Sequence, residues 1–522
     1  MGLLKSTAVV GAMTMLSRIL GLARDIVFTR IFGAGAGTDA FLVAFKIPNF
    51  MRRLFAEGAF SQAFVPVLSE YKTQRSHDEV AELAQRTAGT LGGLLFLVSL
   101  IAVVAAPVLV MLFAPGFIGE GAKFDMTAQM LRITFPYLLF ISLTALASGI
   151  LNCYGRFAIP AFTPVFLNIS LILAAIYLAP HMATPVTALA WGVFFAGLVQ
   201  LGFQLPYVAR LGLLRRPRWG WRHAGVRKIM RLMLPGIVGS SMMQINLLFD
   251  TVIASFLVTG SVTWLYLSDR VMELPLGVFG IALATVILPS LSEKHAKADP
   301  GAFAHTIDWA LRWVLVLGSP AAVALAVLAG PILSTLFLHG KFGAEDVLMA
   351  RMSLMAYSFG ILGFILVKVL APGYYARQDT KTPVRIALIA MAVNMVCNVA
   401  FVVPLVTLNI NGAHTGLALA TTVSAFVNSG LLLRGLSKDG VYAPGKGWAG
   451  LFLKVGIANS LMLLVLWFSA GSLDKWLQAT VLARVAWLSL VVTAGAGTYF
   501  ITLWLIGVRM KQLLHHPGES SR

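Results

Sequence analysis

Charge is what this chain has least of. Only 12% of its 522 residues are Asp, Glu, Lys or Arg, where about 25% is ordinary for a soluble protein. Cysteine is nearly absent. Cys153 and Cys397 are the only two, one expected in a short loop and one inside an apolar run. That excludes a disulfide framework and a cysteine-rich metal centre. Nine histidines are scattered without paired helical spacing. The sequence holds no Walker loop, no nucleophile elbow and no Asp-rich metal motif for a polyprenyl diphosphate, so it reads as a non-enzyme without a bound cofactor. The short alternating segments of transmembrane barrels are missing too.

Apolar residues fill the space. They make up 58% of the chain, the mean hydropathy is +0.84, and long apolar runs recur from end to end. The expected fold is an all-α polytopic membrane protein. Fourteen transmembrane helices are expected: 7–31, 38–69, 87–113, 129–151, 160–180, 185–208, 233–257, 262–291, 308–338, 347–373, 384–404, 412–433, 449–470 and 481–508. The net charge of +19 does not point to nucleic acid, because no basic stripe sits on a soluble domain. Basic cytoplasmic loops give the same total.

With the N-terminus inside, twenty-four loop cations fall on the cytoplasmic face and four, Arg30, Lys123, Lys341 and Lys475, on the other. Both termini are therefore expected in the cytoplasm. The opening "MGLLKS" fits a myristoylation pattern of low specificity. The apolar stretch after Lys5 continues without a small-residue cleavage site, so it reads as a retained first span. One long basic linker, "RLGLLRRPRWGWRHAGVRKIMR" at 210–231, carries Trp219 and Trp221 and suits an interfacial segment. Six cations near span ends, Arg132, Arg312, Arg351, Lys368, Lys454 and Arg484, are expected to snorkel.

The chain repeats itself. "PVLSE" at Pro66–Glu70 returns as "PSLSE" at Pro289–Glu293, and Gly37 returns as Gly260 at the same offset. "YGR" with "TPV" (Tyr154–Arg156, Thr163–Val165) returns as "YAR" with "TPV" (Tyr375–Arg377, Thr382–Val384). Spans one to six thus repeat as seven to twelve, in parallel, with two spans added. The expected division is a six-helix lobe over 1–208, the basic linker over 209–232, a second six-helix lobe over 233–434, and two further helices with a cytoplasmic tail over 435–522. Transporters of this construction bind substrate near the midplane between halves, at proline-interrupted spans. Spans two and eight contain Pro48, Pro66, Pro275 and Pro289.

The same spans, with span one, hold the charge. Arg18, Arg24, Asp25, Asp39, Lys46, Arg52, Arg53, Glu57, Asp269, Arg270 and Glu273 form a set of six cations and five anions. The six cations facing lipid would cost roughly 15–20 kcal/mol, more than a fold can spare. They are expected to line a hydrated cavity or to pair. Spacing offers pairs: Arg18 with Asp25, Arg53 with Glu57, and Arg270 with Glu273, while Asp269 shares an i,i+4 face with Glu273. On a straight helix Asp39, Lys46, Arg53 and Glu57 align. An excess of arginine forks points to an anion such as a pyrophosphate headgroup and away from an ion-coupled drug antiporter. Separately, Asp250 with nearby Asn246, and the i,i+4 pair Asn394 and Asn398, read as a candidate proton or cation site. The driving force is expected to be a Na+ or H+ gradient, the membrane potential or substrate flux.

"SRILGLARD", "GAGAGTDAF", "KIPNFMRRLFAEGAFSQAFVPVLSEY", "SDRVMELPLGVFGIALATVILPSLSE" and "VKVLAPGYYARQDTKTPV" closely resemble the MurJ (MviN) family of bacterial lipid II flippases. The resemblance runs over essentially the whole chain. It implies membership of the multidrug/oligosaccharidyl-lipid/polysaccharide exporter superfamily, with two lobes around a central cavity. It implies a functional monomer of the bacterial cytoplasmic (inner) membrane, serving peptidoglycan biosynthesis and cell shape beside the cell-wall synthesis machinery. The substrate would be lipid II, an undecaprenyl-pyrophosphate-linked disaccharide pentapeptide, moved to the periplasmic leaflet by alternating access. A flippase of another polyprenyl-linked glycan is the alternative. The resemblance places Arg18, Arg24, Arg52 and Arg270 on the substrate and Asp25 and Asp39 in the cavity, in gating. It favours Arg52 where the straight helix favours Arg53; Pro48 can bend the helix between them. A sodium site in part of the family would fall near Asp250, Asn394, Asn398 and Thr421 or Thr422.

Overall fold

The computed structural model describes residues 3–53 and 60–508. Among these residues all regular structure is helical. Ten helical stretches are long and apolar enough to cross a membrane, from His77–Val104 to Val481–Leu505. They coincide with ten of the expected spans, and the chain is a multi-pass membrane protein. The expected spans 7–31, 38–69, 233–257 and 262–291 are not among the ten. Apart from 255–257 their described residues are helical, and they hold most of the charges singled out above.

Local chemistry sets the element ends. Helix α1 (Leu3–Phe32) stops where Gly33 takes a φ of +69°, a left-handed conformation that glycine adopts without steric cost. Thr38 Oγ1 donates to Gly33 O at 2.9 Å, which ties that turn to helix α2 (Ala36–Arg52). Helix α2 contains Pro48 and ends four residues later. Helix α3 begins at Ser61 and runs to Gln74. The span expected over 38–69 is helical on both sides of residues 54–59, which, with Glu57 among them, lie outside the described residues. Helix α4 (His77–Val104) starts at a capping box: Glu79 N–H donates to Ser76 Oγ at 3.3 Å and Ser76 N–H to Glu79 Oε2 at 3.0 Å. Two orphan donors of the first turn are satisfied reciprocally.

By contacts the chain divides into two compact units, Met1–Thr263 and Trp264–Arg522. In the first, α1 packs on Pro164–Leu173, α2 on Gly121–Thr134, and α3 on Tyr137–Cys153. Helix Ala224–Ala254, which follows the basic linker, packs on α3 and α4. Burial holds the His223 imidazole, at the start of that helix, below its ordinary value.

In the second unit, Ala344–Tyr375 packs on Thr415–Lys438, which in turn packs on Lys381–Thr407. A Cβ added at Gly360 would stand 2.7 Å from Thr422 Oγ1, and one at Gly363 3.1 Å from the Ala425 backbone. Such close approach supplies the dispersion contacts that hold helices together in lipid, where the hydrophobic effect does not. Helices Trp448–Ala470 and Val481–Leu505 pack on each other. They are tied to the rest of the unit by Tyr499 Oη donating to Val316 O at 2.7 Å and Asn459 Nδ2 to Ser319 Oγ at 2.8 Å.

Two of the cations expected to snorkel are instead internal ties. Arg312 Nε donates to Asp308 Oδ2 at 2.7 Å. Asp308 Oδ1 also accepts from Tyr442 at 3.0 Å, Gly445 N–H at 3.1 Å and Trp448 Nε1 at 2.7 Å. One carboxylate thereby pins the connection that precedes Trp448–Ala470. Arg484 is buried and donates to the carbonyls of Ala479, Ser334 and Leu338 at 2.9, 2.8 and 3.0 Å. It closes the C-terminal end of helix Ala329–Phe337, where carbonyls lack helical partners. Arg484→Leu would strand these acceptors. The expected loss is about 2–4 kcal/mol, read as a lower midpoint for heat-induced loss of monodisperse protein in detergent. An unchanged midpoint would show that water replaces the guanidinium there.

Candidate functional site

The charges of "SRILGLARD" are not equivalent once folded. Arg24 lies half-buried on α1 and holds Asp25 Oδ1 through both Nε, at 3.0 Å, and Nη2, at 2.7 Å. Its other terminal nitrogen, Nη1, donates to Asn168 Oδ1 at 3.1 Å. Asn168 in turn donates from Nδ2 to Ser17 O, at 2.9 Å, one turn before Gly21. Gly21 sits where α1 meets Asn168: an added Cβ would be 3.8 Å from the amide nitrogen, an ordinary contact. The guanidinium plane is therefore fixed by two elements at once. Asp25 is 3% exposed, and a carboxylate so placed requires its cation.

Arg18 is exposed and has no hydrogen-bond or ion-pair partner among the described residues. The pairing of Arg18 with Asp25 suggested by a spacing of seven does not form; the neighbouring Arg24 takes that carboxylate. Arg52, half-buried, donates from Nε to Asn49 Oδ1 at 3.0 Å, while Arg53 is exposed and Lys46 half-buried.

Asp39 is the most enclosed of the set, 1% exposed. Its Oδ1 accepts from the Thr263 amide at 3.0 Å and the Thr263 hydroxyl at 2.7 Å. Its Oδ2 accepts from the Gly260 amide at 2.7 Å and lies 3.6 Å from Lys123 Nζ. Lys123 is itself buried, 4.2 Å over the Phe117 ring, and donates to Thr259 Oγ1 at 3.2 Å, with Glu120 Oε1 at 3.5 Å. Composition alone placed Lys123 in a solvated loop. The signal that could have corrected this was Asp39, a carboxylate at a span end that needs a cation. Asn168 was missed as well, although a lone amide in the apolar run "PVFLNISLIL" carries the same signal that singled out Asp250.

In the second unit Arg270 donates from Nη1 to Glu273 Oε2 at 3.1 Å and from Nε to Tyr266 Oη at 3.3 Å, with its guanidinium 5.3 Å over that ring. The i,i+3 pair expected from spacing forms, and Asp269 lies half-buried beside it. Asn398 Nδ2 donates to Asn394 Oδ1 at 2.9 Å, and Asn394 Nδ2 to Thr421 Oγ1 at 3.3 Å. Thr421 donates to Leu417 O, and Thr422 to Ala356 O. The structure joins Asn394, Asn398 and Thr421 and turns Thr422 elsewhere. Asp250, in the first unit, is half-buried. No cluster of three or more His, Cys, Asp or Glu with metal-holding geometry occurs among the described residues.

Asn168→Ala removes one acceptor of Arg24 and the tie to Ser17. Hydrogen bonds to charged groups contribute about 1.5–3 kcal/mol, so any activity that needs an oriented Arg24 is expected to fall about tenfold, with the amount of protein in the membrane little changed. Rates and quantities equal to wild type would remove Asn168 from any part in positioning Arg24.

Comparison with known proteins follows from this geometry. A family profile described as lipid II flippase MurJ matches residues 28–487. A probable lipid II flippase MurJ of Vibrio cholerae is 49% identical across 98% of this chain and 97% of its own length. A lipid II flippase MurJ of Burkholderia cenocepacia is 42% identical across 98% of both. Among solved structures, a lipid II flippase MurJ in an inward closed conformation superposes with a TM-score of 0.78 at 24% identity, covering 97% of this chain and 99% of that one. An inward-facing multidrug MATE transporter of the MOP superfamily superposes at 0.64 and 14% identity, over 83% of this chain and 98% of that one. At those identities the two structures establish the fold alone.

Proposed function

The chain belongs to the MurJ family of lipid II flippases, and from that premise we propose how its own residues move the lipid. It is a transporter of the bacterial inner membrane that carries lipid II from the cytoplasmic to the periplasmic leaflet by alternating access. The observation that carries this reading is the match to lipid II flippases along nearly the full length of both chains.

In our reading fourteen helices cross the membrane, twelve of them as two parallel six-helix repeats, with both termini in the cytoplasm. Arg18, Arg24, Arg52 and Arg270 bind the pyrophosphate. A guanidinium matches phosphate oxygens through parallel N–H donors. Arg24 is already oriented by Asp25 and Asn168, so its guanidinium meets the phosphate with little reorganisation of the side chain. Holding a fork in place beforehand lowers the entropy cost of capture. Arg18, exposed and unpaired among the described residues, completes the charge on the same helix.

Asp25 and Asp39 take part in gating, and Lys46, Arg53, Glu57, Asp269 and Glu273 tune the charge of the cavity. Asp250, Asn394, Asn398 and Thr421 are a candidate coupling site for Na+ or H+, with the membrane potential as the alternative drive. The protein works as a monomer alongside the cell-wall synthesis machinery.

The decisive experiment is the sidedness of lipid II in cells depleted of this protein, read with a probe confined to the outer leaflet. Lipid II is expected to accumulate and stay inaccessible. Normal amounts that remain accessible, with no other flippase present, would refute lipid II as the cargo and leave another anionic polyprenyl glycan.

A further inference from the structure

The basic linker is not a loose loop. Its extended stretch before helix Ala224–Ala254 lies along α4. Arg218 N–H donates to Gln85 O at 3.3 Å, Gln85 Nε2 to Arg216 O at 2.6 Å, and Gly220 N–H to Thr90 Oγ1 at 2.9 Å. Two glycines of α4 make room for it. A Cβ at Gly89 would meet Arg218 O at 2.2 Å, and one at Gly93 would meet the Trp219 ring at 2.9 Å. The seat is therefore built into α4.

On this seat the Trp219 and Trp221 rings lie nearly parallel, 17° apart, with centroids separated by 6.3 Å. Both remain at least half exposed, 58% and 50%. A cleft of about 500 Å³ opens beside them, lined by Arg86, Leu94, Trp219, Gly220, Trp221 and Arg222. Arg86 is fixed by Glu82, Nε to Oε1 at 2.7 Å. Arg222 has no hydrogen-bond or ion-pair partner among the described residues.

The cleft has a direction. Arg86 and Leu94 are eight residues apart on a membrane-crossing helix, about 12 Å along its axis. One end is cationic and the other apolar, with two tryptophans between. Tryptophan partitions to the boundary between headgroup and acyl chain. Basic side chains close to a bilayer attract anionic lipid, each by about 1 kcal/mol. A soluble anion has no use for the apolar end, and a bare hydrocarbon chain has none for two guanidinium groups.

We propose that this cleft is a docking site for an anionic phospholipid of the surrounding bilayer. The phosphate sits between Arg86 and Arg222, and the upper acyl chain lies over the Trp219–Trp221 pair towards Leu94. The site is separate from the arginines assigned above to the transported lipid, and it does not depend on that assignment.

The test uses the full-length protein in phosphatidylcholine vesicles free of lipid II, doped with an equal fraction of brominated phosphatidylglycerol or brominated phosphatidylcholine. The emission that disappears in a Trp219→Phe, Trp221→Phe variant isolates the pair. Brominated phosphatidylglycerol is expected to quench that emission several-fold more strongly than brominated phosphatidylcholine. Arg222→Gln, at an exposed position outside the packing, is expected to erase most of the preference, and Arg222→Lys to keep part of it. Equal quenching by both lipids would overturn the proposal and leave the tryptophans as a plain interfacial anchor. A preference untouched by Arg222→Gln would overturn the cleft as its cause. A preference abolished by millimolar inorganic phosphate at constant ionic strength would replace the lipid with a free anion.

Discussion

Arg24→Ala is expected to lower lipid II translocation about a hundredfold per folded copy of the protein. Asp25 and Asn168 hold the guanidinium through Nε, Nη2 and Nη1 and so fix the plane of the fork. The charge-assisted contacts such a fork makes to a phosphate contribute about 1.5–3 kcal/mol each, and every 1.4 kcal/mol is a factor of about ten. Truncation also leaves Asp25 buried without its neighbour, which costs stability. Arg24→Ala with Asp25→Asn separates the two effects, because the pair removes the stranded charge and still lacks the fork. The double variant is expected to recover its amount in the membrane and to remain inactive. Arg24→Lys keeps the charge and loses the planar fork, so it should rescue little. Full activity of Arg24→Lys, measured as outer-leaflet lipid II per copy, would refute bidentate recognition at this position.

The largest effect on stability is expected at the pair Asp39 and Lys123. Lys123→Met leaves a carboxylate that is 1% exposed without its cation, and breaking a buried pair from one side costs about 3–5 kcal/mol. Asp39→Asn keeps the shape but turns an amide N–H₂ towards a donor, either Gly260 N–H or the Thr263 pair, and leaves Lys123 with only the more exposed Glu120 as a counter-charge. Both single variants should melt well below wild type by heat-induced loss of monodisperse protein. The double variant should lie closer to wild type than the sum of the singles, since neither buried charge then remains. Coupling between touching residues is read from that difference. Single variants that melt with the wild type would mean the pair is hydrated and contributes little.

Hydropathy made most of the fold legible. The run read as 384–404 lies inside helix Lys381–Thr407, and that read as 347–373 inside Ala344–Tyr375. What the sequence hid is where helices break within a run. The span read as 308–338 is assembled from Pro300–Trp313, a wider turn at Val314–Gly318, then Ser319–Val327 and Ala329–Phe337. Apolar composition is continuous across those joints, so periodicity carries no mark of them.

The site was half legible for a related reason. Types of residue announce that a charge must be compensated, and spacing along one helix finds partners on that helix, as with Arg270 and Glu273. The remaining partners come from elsewhere: Asn168 for Arg24, Lys123 for Asp39, and the carbonyls of Ser334 and Leu338 for Arg484. Pairings across 144, 84 and 150 positions leave no trace in local pattern. Snorkelling was the default for cations at span ends, and it fails for Arg312 and Arg484 because each finds oxygen atoms within the protein.

Two helix starts in this chain are capped in contrasting ways. The cap on α4 is owned by its own sequence: Ser76 and Glu79 travel with the helix wherever it goes. The first turn of Ser261–Pro275 is different, because the groups that satisfy its amides belong to a carboxylate 221 residues away. A borrowed cap can be returned. Whenever α2 and this turn part company, Gly260 and Thr263 lose their acceptor and their amides open to exchange with water, while those of α4 stay protected. The turn is thereby a built-in reporter: the hydrogen-exchange rate of two backbone positions records how much of the time Asp39 is in place.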